Sequence, residues 1–216
     1  MRNIERILAA ILVFIFSLHL LSVLGFYFDT LFEKMIFIVL EIIVLSLLGF
    51  VYSYNKEHHM KKRSVITIHK IIFMIYLISL TDVLFLSSDL HRDATLLAEY
   101  SHMNTIPFHT INLYITGYQN GTVTLNTLLL NVLGNFVLFM PLAYFVPFFF
   151  KNMRKWYIFL MMMISLTLVI EIIQINLGIG SADIDDIILN VAGAMSFFII
   201  SQFTFSKPIY RILGRE

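Results

Sequence analysis

Six stretches of sequence are apolar for long enough to cross a bilayer, at about residues 6–27, 33–54, 66–87, 127–149, 156–178 and 184–204. A hydrocarbon core roughly 30 Å thick needs about 20 helical residues. Inside it the backbone must satisfy its own hydrogen bonds, so runs of this length read as helices. The short alternating segments of a membrane barrel are missing. Charged residues make up 13% of the chain, against about a quarter in soluble domains. The sequence therefore predicts an all-α, polytopic integral membrane bundle of about six transmembrane helices. The apolar run after Arg2 and Arg6 outlasts a signal-peptide core of about 7–15 residues, so it is expected to be a retained first helix. The chain has no cysteine, which excludes disulfides, thiolate metal sites and a cysteine nucleophile.

Positive charge sets the expected orientation, because Lys and Arg collect on the cytoplasmic side. With six spans, Arg2, Arg6, Lys56, Lys61, Lys62, Arg63, Lys70, Lys151, Arg154, Lys155, Lys207, Arg211 and Arg215 fall on one side, and Lys34 and Arg92 on the other. Both termini are thus expected in the cytoplasm. The KEHHMKKR run (56–63) reads as a topology signal, with a headgroup or partner site as the alternative. His58 and His59 are adjacent and do not share a helix face as a metal-binding pair would. A net charge of +1 gives no reason to expect nucleic acid; the expected partners are membrane lipids.

The long connection at about 88–126 is expected outside, as an ordered loop lying over the outer face. ATLLAEY (94–100) reads as a short interfacial helix. Pro107 pushes Ile106 to an extended conformation, and Asn120-Gly121 signals a turn. The expected organisation is three N-terminal spans (1–90), this loop with three further spans (91–204), and a cytoplasmic tail (205–216).

Polar residues that are costly in a membrane gather at the same level. Asn131 and Asn135, four apart, share a face at the outer end of span four, where Gly134 permits close helix approach. Pro141 is expected to bend that span. Glu171 and Gln174 share a face of span five. Asp183, Asp186 and Asn190 form a stripe on span six that continues to Gly193 and Ala194. Ser181 or Asp183 is placed to cap that helix, and Asp185 is expected to point away, towards solvent. The asparagines also suit plain interhelical bonds, worth about 0.6 kcal/mol each. A carboxyl at Glu171 needs a shared proton with Asp183 or Asp186, a metal ion, or a cationic or hydroxyl-rich ligand. Asp82 lies near enough to the outer end of span three to join the cluster. Glu41 has no polar neighbours, and His19 reads as a hydrogen-bonded core residue.

Four blocks, NTIPF (104–108), NVLGNFVLFMPLA (131–143), EIIQ (171–174) and DIDDIILNVAGA (183–194), resemble in order and spacing the motifs of VanZ-like membrane proteins. The resemblance covers about residues 100–200; the first three spans match only as apolar helices. It adds Asn104 and Pro107 to the candidate ligand-binding set of Asn131, Asn135, Glu171, Gln174, Asp183, Asp186 and Asn190. Two positions depart from the family pattern. Ala143 stands where Gly is common, and Gly180 where an Arg would counter the acidic charge; His102 and Arg92 are the substitutes in sequence.

The resemblance implies a bacterial plasma-membrane protein with an outward-facing site, associated with resistance to teicoplanin-type lipoglycopeptides. No cofactor is expected. Three functions follow from the residues. The first is a non-catalytic protein that binds or shields lipid-linked cell-wall precursors or glycopeptides. The second is an enzyme on lipid-linked wall material, with Glu171 and Asp183 or Asp186 as an acid/base pair or as ligands for Mg²⁺ or Ca²⁺. It lacks a nucleophile motif and a histidine in the cluster. The third is a transporter or flippase using Glu171 as a proton site, which the absence of an inverted repeat disfavours.

Overall fold

The computed structural model describes residues 62–86, 103–179 and 182–202. Expected spans 6–27 and 33–54, with Glu41 and His19, lie outside them, as do ATLLAEY, His58, His59, Arg92, His102, Gly180, Ser181 and the tail from 205. The chain divides into two compact units, Met1–Asp82 with Ile200–Glu216, and Val83–Ile199.

In the first unit, α1 (Lys62–Thr81) is the helix expected as span three. It buries Ile72, Tyr76, Ser79 and Leu80 and exposes Ile71, Met74 and Ile78, the one-sided spacing of a packed helix. Ser79 and Thr81 return their hydroxyls to the carbonyls of Ile75 and Leu77, at 2.9 and 2.8 Å. Each hydroxyl is thereby satisfied without leaving its own helix. A wider, π-type turn follows at Asp82–Leu86. Asp82 is buried and belongs to this unit.

The second unit holds the three helices that, among the described residues, are long and apolar enough to cross a membrane: α3 (Leu125–Phe149), α4 (Trp156–Leu177) and α5 (Ile184–Ser201). They match expected spans four to six to within a few residues. Ahead of α3 the structure adds a short helix, α2 (His109–Gln119), in sequence expected to be loop. Two parallel two-residue strands, β1 (Met103–Asn104) and β2 (Ala182–Asp183), pair Met103 with Ala182 and Asn104 with Asp183.

α3 begins at a Thr124 cap, whose hydroxyl accepts from the Thr127 N–H at 3.2 Å. It passes through a π-type turn at Leu130–Gly134 and breaks where Pro141 was expected to bend it. Proline has no N–H to continue the ladder. The chain there tightens to i→i−3 bonds, Met140 donating to Val137, Leu142 to Phe139 and Ala143 to Met140. Beyond the break Leu142, Ala143, Phe145 and Phe148 are buried. A tight turn at Lys151–Arg154 leads into α4.

α4 is apolar almost all round, yet its buried residues form one stripe: Phe159, Met163, Thr167, Ile170, Glu171 and Gln174. Met161, Leu168, Val169, Ile172, Ile173 and Leu177 are exposed, an apolar face suited to lipid rather than water. At the start of the stripe Phe159 stacks on Phe198 of α5, centroids 4.7 Å apart. Gly178 closes α4 at φ 68, a left-handed conformation that glycine adopts without steric cost.

Candidate functional site

The site is built where the ends of α4 and α5 meet the segment before α2. Asp183 stands just ahead of α5 and is 1% exposed. Its Oδ1 accepts the Asp185 N–H at 2.9 Å, capping the helix as the sequence suggested. The same oxygen accepts the Asn104 amide at 2.9 Å. Asn104 Nδ2 also donates to Thr110 Oγ1 at 2.9 Å, and its Oδ1 accepts the Ile106 N–H at 3.0 Å. Asn104 thus joins β1, β2 and α2 through one side chain. Glu171 Oε2 accepts the backbone N–H of Asp183 at 3.2 Å. This bond links a buried carboxyl on α4 to the strand pair.

Asp185 does not face solvent. It is fully buried, and its two oxygens accept the N–H groups of Phe108, in a short bond, and Ile111, at 3.1 Å. These are the cap and third positions of α2, whose own cap residue supplies no side-chain bond. A carboxylate there satisfies two orphan donors and complements the positive end of the helix. Sequence spacing around the helix of Asp183 and Asp186 placed Asp185 correctly on another face. What it missed was the helix that face serves. The available signal was Ile111, Tyr114, Ile115 and Tyr118, a helical repeat inside a segment otherwise rich in poor helix formers.

The clamp holds an apolar knuckle at Ile106, Pro107 and Phe108. Ile106 is 63% and Phe108 57% exposed, and Pro107 is exposed too. Phe108 sits at φ 63, a conformation that costs a residue other than glycine of order 1–3 kcal/mol. Charge-assisted bonds from Asp185 offset that cost. Beyond the knuckle, Val123 packs so close to α2 that a Cβ on Gly117 would lie 2.5 Å from its Cγ2.

The remaining candidates separate into other contacts. Asn135 Nδ2 donates to Asp186 Oδ1 at 2.7 Å, joining α3 to α5. Two turns along α5, a Cβ on Gly193 would lie 1.6 Å from the Phe136 carbonyl oxygen, so the two backbones touch. Asn190 is buried between these levels. Asn131 instead bonds the Thr127 carbonyl of its own helix at 2.8 Å. Gln174 reaches the Leu84 carbonyl at 3.0 Å. The expected single convergence is therefore a clamp (Asn104, Thr110, Glu171, Asp183, Asp185), a seam (Asn135, Asp186, Asn190) and two local contacts. Among the described residues no group of three or more His, Asp or Glu side chains is arranged to hold a metal ion.

Searches of curated proteins and of solved structures return no match to this chain. The sequence profile of the VanZ/LLP1 family matches residues 73–205. That interval contains the clamp, the knuckle, the seam and the three membrane-length helices found among the described residues, and it is more than half of the chain. This protein is a membrane protein of the VanZ/LLP1 family.

Proposed function

We propose that the protein is a non-catalytic component of the bacterial plasma membrane, with both termini cytoplasmic. Its outer face binds or shields lipid-linked wall precursors or lipoglycopeptides, and so contributes to teicoplanin-type resistance. One observation carries this reading. Glu171, Asp183 and Asp185, the acids best placed for chemistry, accept backbone and amide N–H groups that fix the shape of residues 103–111. Their product is a rigid, exposed apolar knuckle flanked by polar backbone, which suits an acyl-bearing, hydrogen-bonding ligand.

The orientation rests on the Lys and Arg distribution. Exposed Lys151, Lys155, Trp156 and Tyr157 at the α3–α4 turn are a grouping typical of a membrane–water interface on either side. In this orientation the knuckle is extracytoplasmic.

The test compares cells with and without the protein for surface binding of a fluorescent teicoplanin-type lipoglycopeptide, alongside the chemical composition of their wall precursors. Changed antibiotic binding with unchanged precursors is expected. Chemically altered precursors would contradict the non-catalytic reading.

A further inference from the structure

Asn190 is 5% exposed, and its side-chain oxygen has no hydrogen-bond partner. A buried amide oxygen left unsatisfied is costly, and native proteins rarely keep one without a ligand, ion or water to meet it. Asn190 follows Asp186 by four residues and precedes Gly193 by three, so all three lie on one face of α5. That face meets α3 above and below Asn190, at the Asn135–Asp186 bond and at the Gly193–Phe136 backbone contact. The unpaired oxygen therefore belongs to the seam between the two helices.

The seam offers oxygen. Asp186 brings a carboxylate. The Asn135 amide nitrogen is committed to Asp186, which leaves its oxygen as that side chain's remaining polar atom. The Phe136 carbonyl is not taken by Met140, whose N–H goes to Val137 at the break before Pro141. Oxygen donors carrying a single carboxylate suit a hard cation of low charge. Backbone contact at Gly193 closes the inner end and limits the size of that cation. Asp186, half-buried one turn towards the start of α5, stands at the more open end.

We propose that the α3–α5 seam binds one sodium ion, with Asn190 Oδ1 and the Asp186 carboxylate as ligands, and that the ion locks the two helices together. This site is separate from the knuckle and does not depend on what the knuckle binds.

The test is thermal unfolding of the purified full chain in nanodiscs, in sodium, potassium or choline chloride at equal ionic strength. Sodium is expected to raise the melting temperature by about 5 °C at saturation, in proportion to ion binding by the folded state. Asn190→Ala and Asp186→Asn are expected to remove that response. Asn190→Asp, which adds a second carboxylate, is expected to lower the half-saturating sodium concentration about tenfold. Equal melting in the three salts overturns the proposal, as does a sodium response that survives Asn190→Ala. A larger shift with calcium chloride in the unaltered protein overturns the monovalent assignment. If the Ala and Asn variants do not fold, the Asp variant decides: an unchanged half-saturation point overturns the site.

Discussion

At the scale of single residues, three positions have consequences that chain spacing alone does not reveal. Asp185 accepts two N–H groups across more than seventy residues of sequence. Asp185→Ala leaves two partly buried donors without their acceptor, an expected loss of about 1–2 kcal/mol, measurable as earlier thermal unfolding in detergent. Gly193 touches the backbone of Phe136 rather than a movable side chain, so Gly193→Ala must push α3 and α5 apart. Its expected cost is at least about 3 kcal/mol, and a stable, monodisperse Ala variant would contradict the contact. Phe108→Gly has the opposite sign. The side chain is mostly exposed, so little burial is lost, and glycine accepts the positive φ freely. Stability is expected to hold or rise by about 1 kcal/mol, while binding of an acyl-bearing ligand falls because its apolar contact is gone. The expected stripe of Asp183, Asp186 and Asn190 was legible only in part: Asp186 and Gly193 lie on a face that meets α3, whereas Asp183 stands ahead of the helix and bonds Asn104 instead.

At the scale of elements, legibility followed the strength of the solvent constraint. Leu125–Phe149, Trp156–Leu177 and Ile184–Ser201 are long and on average apolar enough to cross a membrane, so little but a membrane-length helix suits them. Pro141 marked its break for the same reason, a missing N–H. The helix His109–Gln119 was not legible because Thr, Ile, Asn, Tyr and Gly give it weak intrinsic preference. It forms where an external carboxylate caps it. Its order therefore depends on Asp185 more than on its own sequence. Hydrogen–deuterium exchange is expected to rise in residues 103–119 of Asp185→Ala by ten-fold or more, with α4 unchanged. Uniform exchange across both segments would show that α2 is held by something else. The parallel strand pair was likewise unreadable, because two residues on each side carry no period.

At the scale of the whole molecule, the family match fixes what kind of protein this is, while the arrangement of acids suggests what it does with them. Polar residues gathered near one end of apolar helices read in sequence as one outward-facing site. In the structure several of them are fasteners, holding a knuckle that neither helix could position alone. Because the natural chain has no cysteine, its topology can be tested with single introduced thiols. Asn120→Cys, in the exposed turn after α2, is expected to react with an impermeant maleimide added to intact cells. Asn152→Cys, exposed between α3 and α4, is expected to react only after the membrane is opened. The reverse pattern would invert the orientation and remove the outward-facing site with it.

The most direct measurement uses Phe108→Cys labelled on intact cells with and without a teicoplanin-type lipoglycopeptide. Rapid labelling from outside is expected, slowed at least several-fold by the lipoglycopeptide, with the slowing lost when Asp185→Ala is added. A thiol at 108 that cannot be reached from outside, or that reacts equally fast with the lipoglycopeptide present, would contradict it.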